Sequence, residues 1–279
     1  MIQYKILFFV GFAFLWAWAS WIIGLTYLSK GINGTTINQY LTFFFIGVYA
    51  PSVSAILTTL YFNGLSETKT LLKKLFIWKV GLKNYLYVIV LPLIFVALAI
   101  GLYAVFLGNV GSFDKSGFSS IHKVLWAGLF AGPLAEELGW RGFLLPEFQK
   151  KYTPVKSATI IGILWFCWHI PLFWAPFGAL VSADNFTILP TLTFLIMVIS
   201  LSWIGTWLVN NSKGSVLVAI LFHLSINASL ALLFFPKLNP VFKQVLFLSS
   251  IPMILFSIYI GIKTKLNNTT GNNIDETPR

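Results

Sequence analysis

The stretch AEELGWRGFLLPEF, residues 135–148, puts three glutamates and one arginine into an otherwise apolar part of the chain. Hydrophobic residues make up 57% of the 279 residues, and charged residues make up only 10%. A soluble domain is about 45–50% apolar and about 25% charged. So few charges cannot cover a water-exposed surface, and the 27 Phe, 11 Trp and 10 Tyr are typical of a polytopic membrane protein. The composition therefore excludes a water-soluble fold and a disordered chain.

Eight stretches are long and apolar enough, or nearly so, to cross the roughly 30 Å hydrocarbon core of a bilayer. They are residues 6–28, 40–62, 85–107, 124–145, 155–173, 188–209, 215–235 and 241–262. The fourth stretch is the weakest, because Glu136, Glu137 and Arg141 interrupt it. We expect an all-α bundle of about eight transmembrane helices with a polar intramembrane cavity, formed by one integral membrane domain over residues 1–279.

The basic residues predict the orientation, since cytoplasmic loops are enriched in Lys and Arg. With the N-terminus inside, the inner segments hold thirteen basic residues and the outer segments five. We therefore expect a multi-pass protein of the cell membrane with both termini in the cytoplasm. Segment 71–79, LLKKLFIWK, is expected to lie along the inner interface as an amphipathic helix. Residues 266–279, rich in Asn and Thr, are expected to form a disordered cytoplasmic tail.

The net charge of +11 is more consistent with contact to an anionic lipid bilayer than with binding to nucleic acid, because the chain is so apolar. Ionisable residues inside membrane spans are costly, so each of them indicates a functional site. On a helix, Glu137 and Arg141 are four residues apart and can pair. Glu136 points about a third of a turn away and lacks such a partner. This makes Glu136 the carboxylate better suited to take up a proton and return it.

Two of the three histidines, His169 and His223, also fall in apolar segments, and Asn227 lies four residues after His223. Counted from the nearest cytoplasmic lysine, Glu136, the two histidines and Asn227 lie 10 to 14 residues into the membrane. At about 1.5 Å per residue, all four are roughly 15–21 Å from the inner boundary. Each motif alone has a structural explanation. Glu137 and Arg141 can form an ion pair, His169 can be a hydrogen-bonded histidine inside the bundle, and the third motif can form an interhelical hydrogen bond. One shared site explains all of them at a common depth.

Several known catalytic solutions are absent from the sequence. There is no H-E-x-x-H motif, no G-x-S-x-G motif and no pair of aspartates within the spans. The remaining glutamate, two histidines and asparagine can activate water and stabilise an oxyanion. They could also ligate zinc, but their spacing across three segments is not a metal signature. We favour a site without a metal or other cofactor, with zinc as the alternative.

The order E-E-x-x-x-R, then aromatic-x-x-x-H, then H-x-x-x-N on successive apolar segments resembles the CPBP intramembrane proteases, also called the CAAX-protease and bacteriocin-processing or Abi family. The matching residues are Glu136, Glu137, Arg141, Trp165, His169, His223 and Asn227. The resemblance covers roughly residues 120–235, which we expect to be the catalytic core helices of a bacterial member. One departure is Trp165, where the family more often has Phe.

The resemblance implies a hydrolase, an intramembrane glutamate-dependent endopeptidase that processes a small peptide or a membrane-associated protein segment. Glu136 with His169 would activate the attacking water, and His223 with Asn227 would hold the oxyanion. Glu137, Arg141 and Trp165 would support the site. The alternative is a non-enzymatic bacteriocin-immunity or transport protein that uses the same polar cluster for binding. A Glu136→Gln change separates the two, since only the protease requires a base at this position.

Overall fold

The structure is a computed structural model that describes residues 2–109, 121–176, 185–234 and 240–263. Every regular element in these ranges is helical, which confirms the all-α fold. The α-helices are α1 (Ile2–Leu28), α2 (Gly34–Val48), α3 (Ala50–Lys73), α4 (Leu82–Phe106), α5 (Ile121–Phe130), α6 (Pro133–Glu137), α7 (Leu145–Gln149), α8 (Pro154–Trp168), α9 (Ile188–Asn211), α10 (Val216–Phe234) and α11 (Pro240–Lys263). A π-helical turn, Leu138–Leu144, joins α6 to α7, and 3-10 turns follow α3 at Lys74–Phe76 and α8 at Ile170–Trp174.

Among the described residues, five helical segments are long and apolar enough to cross a membrane. These segments are Ile2–Leu28, Gly34–Phe76, Leu82–Phe106, Ile188–Asn211 and Lys243–Lys263. Pro154–Trp168 and Val216–Ala231 are shorter apolar helices. The polytopic membrane bundle predicted from composition is thereby confirmed. The predicted tail, residues 266–279, lies outside the described residues.

The fourth predicted span, 124–145, is not one continuous helix. Helix α5 ends at Phe130, and α6 begins at Pro133 after Gly132, which has φ −163° and ψ −81°. Proline has no N–H to donate and disfavours a helical conformation in the residue before it, so the helix is interrupted here. The π-helical turn then replaces an α-helical continuation. This break places Glu136 in the first turn of a new helix.

Two other predicted segments also differ from straight helices. The second predicted span, 40–62, is divided at Tyr49 between α2 and α3, and Gly64 then interrupts α3 with φ 82°, a conformation that glycine tolerates best. Segment 71–79 is not an amphipathic helix. It is the last turn of α3, the 3-10 turn and an extended piece, with Leu71 buried and both Phe76 and Trp78 exposed.

The helices around the π-helical turn pack closely because glycines face their neighbours. A methyl group on Gly139 would lie 2.6 Å from the backbone carbonyl of Pro51 on α3, so only glycine fits at this contact.

At one end of the bundle, Ser215 Oγ donates to the Ile77 carbonyl at 2.6 Å, and Asn84 Nδ2 donates to the Asn211 carbonyl at 3.3 Å. The segments that contain residues 77, 84, 211 and 215 therefore meet at the same end.

Candidate active site

The short helix α6 and the π-helical turn carry the three charged residues of the first motif. Glu136, Glu137 and Arg141 are 4%, 2% and 2% exposed, so all three are buried in the bundle. Leaving a charged group buried without partners costs several kcal/mol. Each of these charged groups therefore needs hydrogen-bond partners, and the partners differ between the two glutamates.

Glu137 is at the centre of a three-residue network. Its Oε1 atom accepts hydrogen bonds from Arg141 Nη1 at 3.2 Å and from His223 Nδ1 at 2.9 Å. The pair with Arg141 is the one that the spacing predicts. The bond to His223 was not predictable from spacing, because the two residues are 86 positions apart. It extends the role of Glu137 beyond support of its own helix.

Glu136 has a different partner. The indole Nε1 of Trp165 donates to Glu136 Oε2 at 2.5 Å, and the Arg141 guanidinium lies over the Trp165 ring with Cζ 4.6 Å from its centroid. The aromatic residue is therefore a hydrogen-bond donor as well as a wall. A phenylalanine at this position would lack the N–H group, so this departure from the family pattern changes the chemistry of the site.

The two histidines each present one nitrogen to an acceptor. His169 ends α8 as its C-cap residue, and its Nδ1 lies 2.8 Å from the Trp165 carbonyl. A carbonyl oxygen only accepts, so Nδ1 carries the proton and Nε2 is the acceptor nitrogen of the neutral ring. His223 Nδ1 likewise faces a carboxylate, Glu137. In both rings Nδ1 is bonded to a protein oxygen, so Nε2 is the nitrogen that could contact a substrate or a water molecule.

One cavity of about 80 Å³ brings together the four residues that the sequence predicts as catalytic: Glu136, His169, His223 and Asn227. Trp165 and Gly132 also line it, and its apolar wall is formed by Phe44, Val48, Ala131, Trp168, Leu172, Phe194, Met197, Val198 and Leu201. Glu137 and Arg141 lie behind this surface and contact it through His223 and Trp165.

Gly132 is a part of the site that the motifs do not contain. A methyl group here would lie 3.3 Å from Glu136 Oε1 and 3.8 Å from both Asn227 Nδ2 and His223 Cε1. These three atoms therefore converge on the space beside Gly132. The signal that could have located it is the Gly-Pro pair shortly before the two glutamates, which marks a break in an apolar span.

The described residues contain no group of three or more His, Cys, Asp or Glu side chains arranged so that it could hold a metal ion. The zinc alternative would therefore need a different arrangement of Glu136, His169 and His223.

The fold and this cluster together define a class of protein. It is a multi-pass helical membrane protein in which a buried glutamate, two histidines and an asparagine line one cavity between the helices, with a second buried glutamate bonded to one of the histidines.

The comparisons with known proteins point to the same family that the motifs resemble. Residues 118–229, which contain every residue of the three motifs, match the model of the family described as Type II CAAX prenyl endopeptidase Rce1-like. The chain is also 29% identical over 241 residues to CAAX prenyl protease 2 of Methanococcus maripaludis, with 85% of this chain and 88% of that protein covered. These findings confirm the resemblance to the CAAX-protease family. The bacterial origin that we expected stays a prediction.

Proposed function

We propose that this chain is an intramembrane endopeptidase that hydrolyses a peptide bond with a water molecule activated by Glu136, without a metal ion. The observation that supports this most directly is the convergence of Glu136 Oε1, Asn227 Nδ2 and the His223 ring beside Gly132. A base and two possible oxyanion donors are then within reach of one reacting group, as hydrolysis of an amide requires.

Glu136 is the general base in this proposal. Its Oε2 atom accepts the hydrogen bond from Trp165, which orients the carboxylate. Oε1 faces the space beside Gly132, where it can take a proton from the attacking water. General-base catalysis of this kind contributes roughly 10²- to 10⁴-fold to the rate.

His169 assists the proton transfer. The hydrogen bond from Nδ1 to the Trp165 carbonyl holds the ring with Nε2 as its acceptor. In that form Nε2 can accept a hydrogen bond from the attacking water and orient it toward Glu136. Glu136, which then holds the proton of the water, returns that proton to the leaving amine. Its position at the C-terminus of α8, beside Trp165 in the same cavity, fits this role.

His223 and Asn227 stabilise the oxyanion. The Glu137 carboxylate holds His223 through Nδ1, so Nε2 is the ring nitrogen that would face the oxyanion and donate to it when it carries a proton. Asn227 Nδ2 supplies the second donor one helical turn further along α10. Loss of one such donor costs about 2.7–4 kcal/mol of transition-state stabilisation in other hydrolases.

The volume of the cavity limits how the substrate enters. Pockets for small molecules usually measure about 300–1,000 Å³, whereas this cavity has about 80 Å³. It has room for the attacking water and a small part of the substrate. We infer that the substrate segment displaces part of the apolar wall, where Phe194 and Met197 are candidates. The names of the matching family and relative make a prenylated CAAX peptide the first substrate to test.

The active site is proposed to lie in the cell membrane with both termini in the cytoplasm. The thirteen-to-five distribution of basic residues supports this, and so does the meeting of residues 77, 84, 211 and 215 at one end of the bundle, near several lysines. Reporter fusions after Lys265 and within residues 174–187 should report opposite sides of the membrane. A C-terminal reporter that scores external would contradict the orientation.

The central experiment compares Glu136→Gln with Glu67→Gln in protein reconstituted with a prenylated CAAX peptide. Both variants remove one carboxylate with little change in shape, but Glu67 is exposed and does not line the cavity. We expect turnover to fall about 10²-fold or more for Glu136→Gln and to be unchanged for Glu67→Gln. Full cleavage by Glu136→Gln would overturn the proposal. A wild-type protein that binds the peptide without cleaving it would favour the non-enzymatic alternative.

A further inference from the structure

Lys74 places an ammonium group against the segment that carries the candidate active site. It begins the 3-10 turn after α3 and is partly buried. Its Nζ donates a hydrogen bond of 2.7 Å to the backbone carbonyl of Gly142, 68 positions away in the chain. Glu147 is close enough to act electrostatically on Lys74, but its carboxylate is bonded to Lys150 at 2.5 Å. The hydrogen bond to the Gly142 carbonyl is therefore the direct contact of the Lys74 ammonium with this segment.

The Gly142 carbonyl cannot form the usual α-helical hydrogen bond. In an α-helix the carbonyl of residue i accepts from the N–H of residue i+4. Four residues after Gly142 the chain has Pro146, which has no N–H. The π-helical turn ends at Leu144, so the hydrogen-bond pattern also changes at this point. Lys74 Nζ gives this carbonyl a side-chain donor at a point where the α-helical donor is absent.

Gly142 also lets three elements meet. A methyl group on it would lie 3.1 Å from Leu138 Cδ1, 3.2 Å from Val216 Cγ2 and 3.3 Å from Leu71 Cδ1. The end of α3 and the start of α10 therefore pack directly on the π-helical turn. Helix α10 carries His223 further along, and Gly142 follows Arg141 immediately in the chain.

We propose that Lys74 is a positioning residue for the candidate active site, an inference that rests on the proposed function. Its ammonium fixes the Gly142 carbonyl and with it the π-helical turn that carries Arg141. Arg141 in turn holds Glu137, and Glu137 holds His223. The exposed side chains of Phe76 and Trp78, next to Lys74 in the chain, would lie at the membrane interface and keep the donor in place.

Three variants test the role of the ammonium. Lys74→Met removes the donor but keeps the length of the side chain, Lys74→Arg retains a cationic donor, and Lys73→Met is the matched control at an exposed neighbour. We expect Lys74→Met to lower kcat about 10-fold with KM within about twofold, because the lost contact misplaces catalytic groups and not the substrate. Lys74→Arg should recover most of kcat, and Lys73→Met should match the wild-type protein.

A second measurement needs no substrate. Amide hydrogen exchange of the peptide that covers residues 138–149 should be faster in Lys74→Met than in the wild-type protein and unchanged in Lys73→Met. If Lys74→Met does not yield folded protein, Lys74→Gln takes its place in both measurements.

The two proposals fail in different ways. Cleavage by Glu136→Gln at the wild-type rate would overturn the proposed function, and the exchange result would still decide whether Lys74 holds the π-helical turn. If Glu136→Gln is inactive but Lys74→Met retains full kcat or wild-type exchange, the role of Lys74 is wrong. A loss of kcat that Lys74→Arg does not restore, or a change in KM alone, would also overturn it.

Discussion

Helix α10 separates two cavities that differ in size and in chemistry. On one side, His223 and Asn227 line the cavity of about 80 Å³ that contains Glu136. On the other side, Leu224, Ser225 and Ala228 line a cavity of about 600 Å³ that is bounded by α4 and α5. Among the described residues, none that lines the larger cavity is an acid, a lysine, an arginine or a histidine.

In the proposed function the chemistry lies in the smaller cavity, so the size of a cavity would not identify the active site of this protein. The larger cavity opens beside the exposed α4 residues Ile89 and Leu93, which suit contact with lipid chains. The smaller cavity holds buried polar groups that are fixed by hydrogen bonds to one another. Catalysis requires such prearranged groups, whereas apolar volume alone supplies none.

The sharpest test of this comparison uses neighbouring residues on α10. His223→Ala removes a proposed oxyanion donor and should lower kcat by about 10²- to 10³-fold. Leu224→Ala removes a side chain that lines the larger cavity and should leave kcat within about twofold. Cleavage assays on both purified variants check this. Equal losses for the two would mean that the cavities do not differ in function.

Glu137→Gln should lower the stability of the protein by disrupting the hydrogen bonds next to the smaller cavity. It leaves Arg141 and His223 without their shared carboxylate, and breaking a buried pair costs about 3–5 kcal/mol in soluble proteins. The thermal midpoint and the yield after membrane extraction should both fall, whereas Glu136→Gln should retain them. If Glu137→Gln is stable but inactive while Glu136→Gln cleaves normally, the roles of the two glutamates are reversed.

Gly132→Ala tests the small space on which the polar groups converge. The added methyl group would lie 3.3 Å from Glu136 Oε1, so it occupies the proposed site of the attacking water. We expect kcat/KM to fall roughly 10- to 100-fold, as for other small misplacements of reacting groups. Gly101→Ala is the control, because a methyl group there meets no atom within 4 Å. An active Gly132→Ala variant would place the reaction elsewhere.

Trp165→Phe keeps the aromatic wall but removes the N–H that orients Glu136. Loss of one hydrogen bond to a charged group should lower kcat about 10-fold with little change in KM. Trp203→Phe, which removes an N–H bonded to Thr159, is the matched control. In a Glu136→Gln background, Trp165→Phe should cause no further loss. Additive losses would show that Trp165 acts independently of Glu136.

The smallest expected effect is that of metal removal. The described residues bring together no set of three or more metal-ligating side chains of the His, Cys, Asp and Glu types. Cleavage should therefore continue at the same rate in EDTA or phenanthroline. Loss of activity that added zinc restores would instead make His169 and His223 ligands of a metal in the smaller cavity.

One feature of the site follows from the sequence because it depends on spacing within one helix. The Glu137–Arg141 pair is an i, i+4 contact, which helical spacing predicts directly. The π-helical turn and the break at Gly132 were missed, since hydropathy describes an apolar segment without its hydrogen-bond pattern. Pro133 and Pro146 were the signals of these two irregularities.

The sequence by itself determined that this protein is a membrane bundle and which residue types it buries, because the transfer of side chains into a bilayer depends on local composition. Only the tertiary structure decided which buried groups become partners. Trp165 donates to Glu136, His223 to Glu137 and Lys74 to Gly142, across 29, 86 and 68 positions of the chain. Hydrogen bonds require donor and acceptor to be about 3 Å apart, and only the packing of helices onto one another brings such distant residues to that distance.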